Sequence, residues 1–427
     1  VIILEAIISV IIFAAVMILI MTEKVHRTTA ALTGAVLLML THILTVKQAI
    51  GYIDFNTIGV LLGMMIFVAI VKKSGLFEYV AIKTAKKSGG NPWRIMVLFM
   101  IITAILSAFL DNVTTVLLIG PMTITVTRML DLDPVPFLIT QALASNIGGT
   151  ATLIGDPPNI MIGSAAGLGF MDFINNDGLA IVLIFFAVIF ALRFKYGGDR
   201  LGGNKEAISK MMMMDEKKAI EDPVLLTKSL VMIALVVLGF ILHQFLGLES
   251  STIALTAAVV MMLIGKQDID KIIADIEWPT LLFFIGLFII VGGMVETGII
   301  NILAKAIISF SQGHTVMLML ILLWASALLS SILDNIPFVA TLIPLIIALG
   351  NDGMDIAPLW WAISLGACLG GNGTLIGASA NVVISGISNR YGHPISFKDF
   401  TKVGFPIMLL TMVICSVYLV VRYGGII

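Results

Sequence analysis

The sequence predicts an all-α integral membrane protein built as an inverted-topology repeat, with two re-entrant helical hairpins and two broken helices. Three observations predict it. First, 59% of the 427 residues are hydrophobic and only 12% are charged. With a mean hydropathy of +1.09, that composition excludes an ordinary soluble globular chain. Second, SNIGGTATLIGDPPN (145–159) interrupts membrane-grade sequence with a glycine pair, an aspartate and two prolines, and CLGGNGTLIGASAN (368–381) repeats the interruption. Third, the halves align on each other. At an offset of 223 residues Asp54 falls on Glu277, Gly63 on Gly286, Asp111-Asn112 on Asp334-Asn335 and Pro121 on Pro344. At 222, Gly148-Gly149 meets Gly370-Gly371, Thr152 meets Thr374 and Asn159 meets Asn381.

The length accommodates about ten spans of roughly 20 residues. Apolar runs predict spans at 2–21, 28–45 and 57–72. The basic, amphipathic GLFEYVAIKTAKKSGGN (75–91) predicts an interfacial helix. Residues 93–129 are two apolar arms around Asp111-Asn112-Val113-Thr114-Thr115, the pattern of a hairpin with a polar tip. A broken helix follows at 135–166. Pro157 and Pro158 lack an N–H and Gly148-Gly149 holds a helix poorly, so the helix is expected to stop near Asn146 and restart near Asn159. A span at 178–194 closes the first half, 1–194.

The hydrophilic stretch 195–228 reads as a cytoplasmic linker. Its Met211–Met214 run lacks the Cys or His neighbours of a soft-metal site. The second half, 229–427, predicts spans at 229–247, 251–265 and 280–295, then an amphipathic segment at 299–311. A hairpin at 315–350 around Asp334-Asn335-Ile336-Pro337, a broken helix at 358–389 and a span at 403–421 follow.

An odd number of crossings between equivalent helices turns the second half over relative to the first. The basic residues give the same topology. With the N-terminus outside, only Lys47, Lys305 and Arg422 of the 25 Lys and Arg lie outside, as the positive-inside rule requires. The first hairpin then opens from the cytoplasm and the second from the outside.

A helix break at membrane depth survives only where protein or a water-filled cavity covers it, and its freed backbone groups can hold an ion or polar solute. Asp111, Asp156 and Asp334 lie in apolar stretches, where a charge costs on the order of several kcal/mol and usually marks function. Capping of a half-helix is the competing reading, and it fits Asp111 and Asp334 as well. A carboxylate that alternates between charged and neutral forms couples protons, and the same carboxylate with unwound carbonyls holds sodium; residue pattern does not choose between them. Asn112, Thr114, Asn146, Thr150, Thr152, Asn159, Asn335, Asn372, Thr374, Ser379 and Asn381 supply neutral donors and acceptors, beside the glycines 148, 149, 370 and 371. The repeat is asymmetric here: Asp156 faces Ala378, Thr150 faces Asn372, and Cys368 aligns with Asn146. No arginine or lysine is expected near the midplane, which weighs against a bulky polyanion.

Other chemistries find no support. Gly148 to Gly155 lacks the Lys-Ser or Lys-Thr of a phosphate loop. No nucleophile–base pair or metal motif points to an enzyme, no organic cofactor is implied, and nothing points to nucleic acid.

SAFLDNVTTVLLIGP, SNIGGTATLIGDPPN, SSILDNIPFVATLIP and GACLGGNGTLIGASANVV together resemble the P-protein-like branch of the arsenite permease and sodium/proton antiporter group, within the ion transporter superfamily. The resemblance implies a homodimer with a scaffold domain and an elevator-type transport domain. It also implies a bacterial or archaeal plasma-membrane location. Some arsenite permeases of this group use a soluble ATPase partner. The superfamily's dicarboxylate carriers have Ser-Asn-Thr at each hairpin tip. Asp111-Asn112-Val113 and Asp334-Asn335-Ile336 stand here instead, which disfavours carboxylate transport. The expectation is a secondary active transporter in the lipid bilayer that exchanges protons or sodium for a small inorganic solute. Arsenite or antimonite efflux and sodium/proton exchange are the specific candidates, with an organic-anion carrier or an ion channel as alternatives. Asp111, Asp156 and Asp334 are the expected proton-coupling groups, with sodium at the tips and breaks as the other possibility.

Overall fold

A computed structural model of the chain describes all residues except 1, 23, 203–205, 207, 208, 210, 211, 214, 312, 313 and 427; the side chains of 2, 3, 199, 310, 311 and 426 are also undescribed. Met211 and Met214 of the linker run therefore lie outside the described residues. Among the described residues all regular structure is helical. Among the described residues seven helices are long and apolar enough to cross a membrane by length and composition.

The first half runs α1 (Ile2–Thr22), α2 (Arg27–Leu40), α3 (Val46–Tyr52), α4 (Phe55–Lys72), α5 (Leu76–Lys87), α6 (Pro92–Phe109), α7 (Asn112–Met129), α8 (Val135–Thr150), α9 (Pro157–Ala166) and α10 (Phe170–Tyr196). The second half follows the same order as α11 (Pro223–Leu242), α12 (Ser250–Gly265), α13 (Ile269–Ala274), α14 (Trp278–Glu296) and α15 (Ile299–Ser311). It ends with α16 (Thr315–Ser330), α17 (Asn335–Asn351), α18 (Ala357–Gly370), α19 (Ser379–Arg390) and α20 (Phe397–Tyr423).

Local chemistry sets the boundaries. Asp54 caps α4 by accepting from the Asn56 and Thr57 N–H groups, and Asn91 caps α6 just before Pro92. Asp111 and Asp334 cap the second arms of the two hairpins. The span expected at 28–45 is shorter, because Thr45 and Gln48 form a capping box that starts the separate α3. The last span of the first half starts at Phe170 rather than 178, because a π turn at Ile174–Gly178 carries the polar Asn-Asn-Asp-Gly within the helix. Gly75 turns the chain into α5 at a φ of +79°. On that side Lys86 Nζ holds Glu216 Oε2 at 2.5 Å, fastening the linker to α5.

The first helix break is also narrower than expected. Gly148 and Gly149 stay within α8, and the chain leaves helical geometry only from Ala151 to Asp156. Tight packing explains why glycine tolerates the helix here: a Cβ on Gly148 would lie 2.1 Å from the Ala104 carbonyl oxygen of α6. Gly370 of α18 meets Ala327 of α16 in the same way. The small residues let α6 lie on α8 and α16 on α18 at close range.

A second pair of contacts crosses between the halves. α4 packs on α12, with Gly63 against the Ala254 backbone, and α14 packs on α2, with Gly286 against Ala31. The resumed helices cross as well: α9 lies against α17, and α19 against α7 and α8. The two hairpin tips and the two breaks are thereby brought to one buried polar core.

Candidate functional site

Each break is stitched by the same bonds. Asn159 Nδ2, on the first turn of α9, donates to the carbonyls of Thr150 and Thr152 at 3.1 and 3.0 Å. Asn381 Nδ2, at the matching place on α19, donates to those of Gly371 and Thr374 at 2.8 and 3.0 Å. These asparagines satisfy carbonyls that the helix break would otherwise strand. Thr152 Oγ1 donates to the Ala108 carbonyl and Thr374 Oγ1 to that of Ser331, tying each break to its hairpin. Ser107 and Ser330 return the tie to the carbonyls of Ser145 and Ala367, at 2.6 and 2.7 Å.

The amides then join the halves. Asn146 Nδ2 donates to the side-chain oxygens of Asn372 and Asn381, each at 3.0 Å. Its own oxygen accepts from Asn112 Nδ2 at 3.0 Å. On the mirrored side Asn159 Oδ1 faces Ser364 Oγ at 2.8 Å and the Cys368 thiol at 3.5 Å. Asn335 Nδ2 lies 3.4 Å from both oxygens of Asp156. Asp156 is fully buried and makes no capping bond to its own helix, so its carboxylate is directed at the other half. Asn372 Nδ2 is buried without a hydrogen-bond partner.

The acidic tips differ. Asp111 accepts from the Thr114 N–H at 2.9 Å and from its hydroxyl at 2.5 Å, so it is occupied within its own turn. Asp334 accepts from Ser379 Oγ at 2.6 Å and pairs with Arg27 at 3.0 Å. Arg27 also reaches Ser379 and Thr280 and stands over the Phe283 ring. Arg27 opens α2 and reads as a loop charge, but its long side chain reaches inward to the hairpin tip. A cavity of about 330 Å³ opens here, lined by Arg27, Asp334, Ser379, His26, Met21 and Val383 among others.

Of the residues singled out from sequence, Asn112, Asn146, Asp156, Asn159, Asn335, Asn372 and Asn381 form the connected core, and Asp334 and Ser379 line the cavity. Thr152 and Thr374 bind backbone, and Thr150 Oγ1 turns back to the Asn146 carbonyl. Gly148, Gly149, Gly370 and Gly371 provide room for close backbone approach. Ser364 and Asp177, which join the network behind Asn159, were not singled out. Ser364 is one hydroxyl in an apolar run, and Asp177 sits in a turn-like Asn-Asn-Asp-Gly.

The comparisons with known proteins agree with this architecture. Residues 17–366 match the family model described as citrate transporter. An uncharacterized transporter of Mycobacterium tuberculosis is 41% identical over 427 residues, covering 98% of this chain and 99% of that protein. The 46 kDa membrane protein of Mycobacterium leprae is 41% identical over the same shares. The human P protein is 33% identical, with 96% of this chain matching 59% of that protein. Among solved structures, the YdaH transporter of Alcanivorax borkumensis shares the fold, with a TM-score of 0.59 over 90% of this chain and 89% of that one at 16% identity. The chain is a multi-pass integral membrane protein of the citrate transporter family, a transporter and not an enzyme.

Proposed function

We propose that this protein is a secondary active transporter that exchanges protons or sodium for a small solute. Sodium/proton exchange is its best specific reading. The carrying observation is the charge balance of the core. Arg27 pairs with Asp334 and Asp111 is held in its own turn, which leaves the fully buried Asp156 facing the Asn335 amide, a carboxylate suited to a hard monovalent cation or a proton. The arsenite permease and sodium/proton antiporter group includes both of the solute types first expected. Arsenite efflux is less favoured, because the Cys368 thiol stands among the core ligands, and a thiol would slow release of a metalloid.

The inverted repeat and an elevator-type movement belong to this reading. Their support is that each half's resumed helix packs on the other half's hairpin. The Arg27–Asp334 pair would then hold one end of the stroke. Assembly as a homodimer, a plasma-membrane location and an outside N-terminus are parts of the same proposal. A soluble ATPase partner is not needed by it.

A second reading is a carboxylate carried together with the cation. The family's description and the Arg27 guanidinium at the cavity favour it, and the acidic tips oppose it. Proteoliposomes holding a preset pH gradient, read with a pH-sensitive dye, separate the readings. Sodium or lithium should dissipate the gradient while citrate and arsenite do not. A response to citrate alone would replace sodium/proton exchange by the second reading. Arsenite alone would restore metalloid efflux.

A further inference from the structure

We propose that Asp177 carries a proton in this state and passes its release, through Ser364, to Asn159 and the first helix break. The argument is a count of hydrogens. Asp177 lies in the π turn of α10 with no exposure to solvent, and π turns recur at functional sites. Its Oδ2 is 2.7 Å from Ser364 Oγ. The same hydroxyl is 2.8 Å from Asn159 Oδ1. Asn159 cannot donate there, because its Nδ2 is held by the Thr150 and Thr152 carbonyls on the other side.

A serine hydroxyl has one hydrogen, and an ionised carboxylate accepts only. Three oxygens in a row with one hydrogen between them cannot make two full, near-linear hydrogen bonds. A proton on Asp177 Oδ2 completes the chain: the carboxyl donates to Ser364, and Ser364 donates to Asn159. The remaining Oδ1 is buried without a partner, and an orphaned neutral oxygen costs far less than an orphaned charged one. On loss of the proton the Ser364 hydrogen turns to Asp177, and Asn159 Oδ1 is left with the Cys368 thiol at 3.5 Å. Proton release at Asp177 is therefore felt at the residue that closes the first break.

The surrounding groups fit this role. Arg422, Tyr418, Tyr423 and Cys415 on α20 and Cys368 on α18 lie within electrostatic range of Asp177. Arg422, however, directs its donors to Tyr418 Oη and Asn176 Oδ1 at 2.9 and 2.8 Å. Asp172 on α10 is engaged by the Gly169 N–H and Gln244, and α8 and α9 carry no titratable side chain. Asn176, adjacent to Asp177, accepts from Tyr418, Tyr423 and Arg422, which anchors the π turn to α20.

What the proton is used for rests on the transport reading; its presence on Asp177 does not. The test is infrared difference spectroscopy of the purified protein between neutral and alkaline buffer. A protonated-carboxyl C=O band should be present in the wild type and missing from Asp177→Asn. An identical band in that variant would overturn the proposal. Should Asp177→Asn fail to fold, Ser364→Ala serves: the band should persist but move to higher frequency, and an unmoved band overturns the Ser364 link. In proteoliposomes Asp177→Asn should lower solute-driven proton movement by about tenfold, and unchanged movement would refute the coupling role. A wild type that shows the band but moves no solute would instead defeat the transport reading.

Discussion

Asn335, at the tip of the second hairpin, aims its amide nitrogen at both carboxylate oxygens of Asp156 in the first helix break, 3.4 Å from each. These residues are 179 positions apart, and their contact joins a tip from one half to a break from the other. In the proposed transport reading, a cation or proton arriving at Asp156 would change what Asn335 faces and so link binding to hairpin position.

Asp156→Asn removes the charge and keeps the shape. Coupled flux in proteoliposomes should fall by about tenfold or more, while size-exclusion profile and thermal stability stay near wild type. Unchanged flux would remove Asp156 from the mechanism.

Asn146 joins three other asparagines, so Asn146→Ala leaves buried acceptors on Asn372 and Asn381 without their shared donor. Each stranded buried group costs about 1–3 kcal/mol. A clear drop in melting temperature in detergent is expected. A variant as stable as wild type would show that water replaces the amide.

Gly148→Ala would drive a methyl group into the Ala104 backbone, where overpacking costs about 1–3 kcal/mol or more. Gly386→Ala is the control, because its Cβ meets nothing within 4 Å. The control should be neutral or slightly stabilising, since alanine exceeds glycine in helix preference by about 1 kcal/mol. Equal behaviour of the two variants in a thermal melt would contradict the close α6–α8 packing.

The Lys86 hydrogen bond holds the Glu216 carboxyl below its ordinary range. Its contribution is present above the unfolded carboxylate's pKa and is lost as pH falls through the lowered folded value. The linker should therefore be cut faster by an acid-active protease below that value than at neutral pH. Glu216→Gln should make the neutral pattern resemble the acid one. A wild-type pattern independent of pH would show that the pair does not anchor the linker.

Much of this molecule was legible along the chain. Apolar runs, Asp and Asn caps, prolines at helix starts and the paired Gly-Gly breaks are local features, and helix formation responds to local features. Equivalent residues recur at offsets of 223 and then 222, and the helices at 92–129, 135–166, 315–351 and 357–390 begin and end within a few residues of the boundaries read along the chain. The start of the first break lies later than the chain suggests, because Gly148 and Gly149 are poor helix formers in isolation but here allow close packing, Gly148 against Ala104 and Gly149 against Gly155 and Ser107. Contacts between distant residues were not legible. Arg27 with Asp334, Asn146 with Asn381, and Ser364 with both Asn159 and Asp177 depend on how helices from the two halves cross. Side chains of the same type also occur at loops and in apolar runs where they do nothing of the kind. A polar group's worth inside a membrane depends on its partner, and the partner is chosen by packing in three dimensions rather than by spacing along the chain.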